Sequence, residues 1–396
     1  MNWKKTLKRY EGELLNDIVP FWTAHCLDRE KGGYFTFLDR DGSVYDTEKF
    51  MWMQWRIVYM FAELCASPYR KEEWLAIALH GWDFLTKYGK DADGHYYFSL
   101  NREGVPTVAA YNIYSECFAA MAAAALFKVT GEERFRVEAV SATDKYIKRM
   151  DNPKGRWEKS LEGRKPTYSL GHYMMLANLA FIMKKYTGDE RYEKEIKRSI
   201  DFVLDRFYEP STGVLFENIL RDRPDGRFDL STSLGRHLNP GHGLEALWFI
   251  LQVAEEKKDQ AVIDKACAII QSTLEFSWDK KNGGIYYFMD SEARPHVELQ
   301  WDMKLWWVHC EAIVAVLYAY RLTRKPVFLK WFRRLDRWTW KHFPDRKFGE
   351  WFAYLNRRGK PTHLLKAGKW KTFFHVPRFL LVSAGLIKNI IQEDLS

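Results

Sequence analysis

Two histidines stand where helices are expected to begin. His242 follows Asn239-Pro240-Gly241 in NPGHGLEALWF, and His375 lies two residues before Pro377 in FHVPRFLL. An Asn cap and a first-turn proline are both helix-start signals. Glu245 falls three residues after His242, on the same helical face. A helix N-terminus is expected to hold the His242 pKa down and keep the imidazole neutral, as a general base requires. Arg56, inside the apolar run MWMQWRIVYMF, needs an anionic or hydroxyl-rich partner. Two imidazoles placed in this way suit general acid–base catalysis. Glu116 and Glu311 suit a different reaction, inverting glycoside hydrolysis, if they face each other across about 6.5 to 9.5 Å. His172, in SLGHYMMLANL, stays open between a satisfied core residue and a third catalytic histidine. No HExxH motif or close histidine pair occurs, so no metal site is expected.

These residues have to be positioned by something, and a repeat supplies the framework. Glycine, an aromatic-rich alternation and a turn recur as GGYFTFLDRDGSVYD (32 to 46), GHYYFSLNREGVP (94 to 106), GVLFENILRDRPDG (213 to 226), GGIYYFMDSEARP (283 to 295) and GEWFAYLNRRGKP (349 to 361), with a weaker copy, GRWEKSLEGRKP, from Gly155. Each copy reads as a short β-hairpin. The interval is about 60 residues, enough for two helices between hairpins. Six such units predict an all-α fold, an (α/α)6 barrel with short β-hairpins at one end, formed by one domain over 1 to 396. An open solenoid is the alternative, disfavoured because no terminal repeat looks like a polar cap.

The helix after each hairpin, as in YNIYSECFAAMAAAALF or KLWWVHCEAIVAVLYAY, is much more apolar than its partner and is assigned to the inner ring. Each repeat then sends one ionisable group to a similar height in the inner ring: Arg56, Glu116, His172, His242, Glu311 and His375. His25, His80, His95, His296, His342 and His363 are placed on outer helices or solvated loops, and Trp306-Trp307 as core plus one pocket wall.

Composition narrows the function classes. Aromatic residues make up 16% of the 396-residue chain, including 17 tryptophans, a type of side chain that lines sugar pockets as well as filling cores. The net charge of +9 is dispersed among 52 acidic residues without a basic arm, which argues against nucleic acid. No apolar run reaches the length of a membrane span and no signal-peptide core is present, so a cytoplasmic protein is expected. Five scattered cysteines read as buried apolar residues.

The stretches MWMQWR, YSECF, GRHLNPGHGLEALWF, LQWDMKLWWVHCEA, GEWFAYLNRRGK and FHVPR resemble the N-acylglucosamine 2-epimerase family, and more distantly cellobiose 2-epimerases and mannose-type isomerases. The resemblance implies an (α/α)6 barrel, a homodimer, a monosaccharide substrate, and interconversion of N-acetylglucosamine and N-acetylmannosamine without a required cofactor. It implies His242 and His375 as the acid/base pair, and Arg56, Glu245, Glu311, Trp307, Trp370 and Arg378 as sugar-binding or orienting residues. It also implies ATP as a non-consumed activator, although the loop DNPKGRWEKSLEGRKP (151 to 166) lacks the glycine-rich run of some nucleotide-dependent members.

Overall fold

In the computed structural model, which describes residues 1 to 161, 163 to 221 and 228 to 395, helices dominate. In chain order they are α1 (Trp3–Glu13), α2 (Val19–His25), α3 (Met51–Cys65), α4 (Glu72–Tyr88), α5 (Tyr114–Thr130), α6 (Glu133–Arg149), α7 (Leu170–Thr187), α8 (Glu193–Asp201), α9 (Pro240–Lys257), α10 (Gln260–Ser277), α11 (Trp306–Thr323), α12 (Pro326–His342) and α13 (His375–Glu393). A π-helical turn over Leu14–Ile18 joins α1 to α2 in one rod. The odd-numbered helices from α3 to α13 form the inner ring, each packed on the next, and the others lie outside. The expected asymmetry holds: Ser115 to Leu126 of α5 are all buried, whereas α6 buries only one face. The alanine run of α5 favours helix and lets its neighbours approach closely. All five cysteines are free and buried, and among the described residues no helix is long and apolar enough to cross a membrane.

The ring is closed, against the solenoid alternative. α1 packs on α13, Tyr10 Oη donates to Asp336 Oδ1 at 2.8 Å, and Trp351 Nε1 donates to Glu13 Oε1 at 2.7 Å. Between repeats the same clamp recurs three times. Asp28, Asp279 and Asp345 each precede a glycine at positive φ by four residues. Each carboxylate meets a fully buried lysine, Lys49, Lys304 or Lys366, and an arginine from the turn of the following repeat, Arg102, Arg357 or Arg40. The third clamp joins the last repeat to the first, with Arg40 Nε 2.7 Å and Lys366 Nζ 2.8 Å from Asp345.

The hairpin expectation needs correction. Hairpins form in the first two copies, where Phe37–Leu38 pairs with Val44–Asp46 and Ser99–Leu100 with Pro106–Val108. Tyr208–Glu209 also pairs locally with Val214–Leu215, but the remaining short strands pair across repeats. Asn218–Leu220 joins Thr167–Ser169, Met289–Asp290 joins His237–Leu238, and Tyr354–Leu355 joins Lys304–Leu305. Strands this short are unstable alone, and each takes as partner the strand that feeds the preceding inner helix. The copy at Gly155 is a 3₁₀ turn over Gly155–Trp157 with no strand among its described residues, and the turn expected at 222 to 226 lies outside them.

Removing the closing carboxylate leaves Lys366 buried and unpaired. Asp345→Ala is therefore expected to cost about 3 to 5 kcal/mol, and Arg40→Ala, whose side chain is 31% exposed, much less. Denaturant unfolding of both variants checks the order; equal losses would mean that the buried lysine does not set the cost.

Candidate active site

The first turns of the inner helices line one cavity of about 650 Å³. Trp52 and Arg56 come from α3, Tyr114 and Phe118 from α5, Met174 and Met175 from α7, His242 and Glu245 from α9, Trp306 and Trp307 from α11, and His375 from α13. Tyr287, Gln300, Tyr354, His363 and Trp370 complete the rim from the connecting loops. His363 thus faces the cavity mouth and does not belong with the merely solvated histidines. Trp370, 55% exposed, meets Trp52 edge-on with ring centroids 5.4 Å apart.

The two helix-start histidines meet the same indole. The Trp307 ring lies 5.5 Å from His242 and 5.7 Å from His375, centroid to centroid. Gly241 makes room for it, since a Cβ there would fall 2.5 Å from the Trp307 ring. Asn239 caps α9 as expected, its side chain accepting from the His242 backbone N–H at 3.2 Å.

The expected direction of the His242 pKa is overturned. Burial alone would lower it, but the charge and hydrogen bond of Glu217, with help from Glu245, outweigh burial and raise it above the ordinary imidazole value. Glu217 Oε2 stands 3.0 Å from His242 Nδ1. Glu217 is itself held ionised, because His242 more than offsets its burial. A carboxylate only accepts, so Nδ1 carries the proton and Nε2 is the ring's second position. Glu217 is the residue that sequence reasoning missed. Its one sequence signal is a lone acid in the apolar alternation GVLFENIL, immediately before the strand Asn218–Leu220.

His375 is pushed the other way, well below 6.5, chiefly by burial, with Arg378, Arg56 and His242 adding to the depression against Glu245. Its Nδ1 lies 2.7 Å from Glu311 Oε1 and 3.4 Å from Arg378 Nη2, so its proton points to the carboxylate. Glu311 also accepts from Trp248 Nε1 at 2.8 Å and from Arg378 at 2.8 Å. Arg378 donates in addition to Glu245. Glu311 and Arg378 thus lie one turn beneath the cavity surface, behind His375 and Glu245. Three ligand atoms from Glu245, Glu311 and His375 fall within 4.8 Å of one another, a spacing suited to a metal ion. The Arg378 guanidinium donates to both carboxylates and acts as the cation of that cluster.

Arg56 is buried, with its guanidinium over the rings of Trp52, Phe118 and Phe374 and its Nε without a partner among the described residues. Burial lowers its pKa to about 9, so it stays charged at neutral pH. Besides Glu311 and Arg378, two further expected residues, Glu116 and His172, do not reach the cavity wall. Glu116 points away from it and pairs with Arg149 of α6 at 2.9 Å and His95 at 3.2 Å. Tyr114 and Phe118 line the cavity at i and i+4, which turns the residue between them to the opposite face. His172 lies beside Tyr114, 5.6 Å between ring centroids, with burial lowering its pKa to about 4. The hydrolase alternative loses both of its carboxylates, since Glu116 is in an ion pair outside the cavity and Glu311 is beneath it.

The model of the N-acylglucosamine 2-epimerase (GlcNAc 2-epimerase) family matches residues 33 to 378. The chain belongs to this family. The matched span runs from the glycine of the first repeat to Arg378, so it contains all of the candidate residues. The mouse N-acylglucosamine 2-epimerase is 37% identical over 99% of this chain and 93% of its own length. Among solved structures, the cellobiose 2-epimerase from Spirochaeta thermophila superposes with a TM-score of 0.83 at 21% identity, covering 98% of each chain. A D-mannose isomerase superposes with a TM-score of 0.82 at 19% identity, again over 98% of each chain. These two likenesses establish the (α/α)6 barrel of the family for this chain.

If Glu217 holds the His242 proton, Glu217→Gln removes the charge and leaves burial in control. The His242 pKa is then expected to fall from above to below the ordinary imidazole value, as read by histidine NMR titration. An unmoved His242 resonance would assign the shift to another group.

Proposed function

We propose that the protein is a 2-epimerase of N-acylated hexosamines that interconverts N-acetylglucosamine and N-acetylmannosamine. The observation carrying this reading is the pair of imidazoles against Trp307 whose surroundings drive their protonation apart. Such a split assigns acid and base. His375, kept neutral, takes the C2 proton from one face of the sugar, and His242, kept protonated, returns one to the other. In the reverse reaction the two exchange roles. The C2 proton is acidic only beside a C1 carbonyl, so the pyranose ring opens before transfer. The enediolate oxygen then meets the buried Arg56 guanidinium, whose Nε has no partner among the described residues. Glu245, tethered by Arg378, offers a fixed acceptor to a sugar hydroxyl, and Trp307 and Trp370 give flat walls for its C–H faces. Acid, base and oxyanion partner are all side chains, so these steps call for no cofactor.

Family membership and the 37% identity to the mouse enzyme support an N-acylated substrate over free mannose. Apolar cavity residues such as Phe118, Met174 and Met175 suit the packing of an acetyl methyl group. Filling such a subsite is worth about 10 to 200-fold in specificity, so kcat/KM on N-acetylmannosamine is expected to exceed that on mannose by that margin. Preference for mannose, or a ketose product from reprotonation at C1, would overturn the N-acyl 2-epimerase reading.

Proton NMR in deuterated water tests the chemistry directly. Deuterium is expected at C2 of both epimers with the native protein, and epimerisation is expected to fall below a tenth of native turnover in His242→Ala and in His375→Ala. Arg56→Lys keeps the charge but loses the planar fork, with an expected loss of about 10²-fold in kcat. The kcat profile should be bell-shaped, its acid limb below the ordinary imidazole value from His375 and its alkaline limb above it from His242. A single titrating limb would contradict the two-histidine assignment.

A further inference from the structure

Outside the proton-transfer pair, a second pair of histidines holds a loop against the cavity. His237, in the strand His237–Leu238 that leads into α9, puts Nδ1 2.8 Å from Nε2 of His296. His296 lies in the connection 291 to 303, which brings Gln300 and Met303 to the cavity wall. The tautomers follow from a third contact. The backbone N–H of Glu298 donates to His296 Nδ1 at 3.0 Å, so that nitrogen is bare and Nε2 carries the proton that is given to His237. Both rings must be neutral for the chain of bonds to exist. A proton on His237 Nδ1 would set two N–H groups against each other, and one on His296 Nδ1 would confront the Glu298 amide.

The ends of the loop are tied separately. Arg236 Nε donates to Asp290 Oδ2 at 2.9 Å, and the carbonyl of Trp301 accepts from the backbone N–H groups of Tyr287 and Phe288. Between these ties the imidazole pair, both rings against Phe288, joins the loop to the barrel, while Val297 and Leu299 are 64% and 94% exposed. The charged and titratable groups facing His237 are Glu217, His242, His296 and Glu298, and those facing His296 are His237, Glu298 and Asp290. Burial is the largest influence on both rings and lowers both pKa values, so the neutral pair persists at neutral pH and is lost only in acid.

We infer that His237 and His296 are positioning residues, a neutral imidazole latch that holds the 291 to 303 loop closed so that Gln300 meets the bound sugar. The inference rests on the proposed sugar site but concerns substrate capture, whereas the proton-transfer step belongs to His242 and His375. Its signature is in KM. The latch bond is of ordinary strength, so its loss is expected to raise KM about tenfold with little change in kcat.

The test compares the native protein, His296→Ala and His296→Gln. Glutamine offers an N–H to His237 and an oxygen to the Glu298 amide, but does not titrate. Between about pH 8 and about pH 5, across the range where imidazoles ionise, KM for N-acetylmannosamine should rise in acid for the native protein. In His296→Gln KM should be close to native at about pH 8 and still rise in acid, because His237 remains titratable, and in His296→Ala it should be high throughout. A readout independent of turnover accompanies it: cleavage by a glutamate-specific protease after Glu298, followed by mass spectrometry at pH near 7.5. Cleavage should be about tenfold faster in His296→Ala than in the native protein, with His296→Gln close to native. A native-like KM and cleavage rate in His296→Ala, or a KM in His296→Gln as high at about pH 8 as in His296→Ala, would overturn the latch. If no sugar turns over but the cleavage pattern holds, the latch stands and the substrate reading fails.

Discussion

Arg378 is almost fully enclosed, and one of its terminal nitrogens donates to carboxylates from two other inner helices, Glu245 of α9 and Glu311 of α11. Three helices of the ring are thereby fixed to one another directly beneath the cavity. The remaining acceptor capacity of Glu311 goes to Trp248 Nε1 and to His375 Nδ1, so this cluster also sets the orientation and the protonated edge of one catalytic candidate. Without the arginine, two buried carboxylates would face each other, and one would have to take up a proton or draw in water. Its charge reaches further, adding to the burial that keeps His375 neutral. The opposite histidine has a simpler environment, in which the ionised Glu217, helped by Glu245, raises its pKa. Two rings of the same type thus receive different protonation states from different neighbours.

Much of this could be read from the sequence, and the misreadings have physical causes. The six-unit repeat and the apolar contrast between alternate helices carry the barrel, because both are local periodicities. His242, Glu245, Arg56 and His375 were legible because each lies in or near the first turn of an inner helix and is in phase with the cavity. Glu116 was misread because height along a helix says nothing about phase: Tyr114 and Phe118 take the cavity face, and the acid between them turns to Arg149. Glu311 and Arg378 were legible as site residues but not as buried ones, lying four residues after Trp307 and three after His375, one turn deeper on the same face.

Glu217 was out of reach for another reason. It precedes a three-residue strand whose partner, Thr167–Ser169, is about 50 residues away in sequence, and which face of that strand looks inward depends on this pairing. The hairpin reading failed through the same non-local effect, since most of the short strands take partners from the preceding unit. The His237 and His296 pair depends on the same cross-repeat pairing, which joins His237 to Asp290.

The clamp that closes the ring also bears on the order in which the chain can fold. Arg40 leaves the ribosome early, yet its partner Asp345 lies 305 residues further on, and Glu13 waits 333 residues for Arg346. The interior clamps join residues only 74 and 78 positions apart, Asp28 to Arg102 and Asp279 to Arg357. During synthesis, successive helix pairs can therefore dock on their predecessors as they emerge, while the first turn keeps its arginine unpaired until the last unit arrives. Throughout that interval the growing chain is an open arc with one incomplete edge, the stage at which exposed apolar helix surface is most vulnerable to misassembly. Because the closing clamp has the same composition as the interior ones, a circularly permuted gene opened between other repeats would shift that vulnerable edge to a different helix pair and leave the finished ring unchanged.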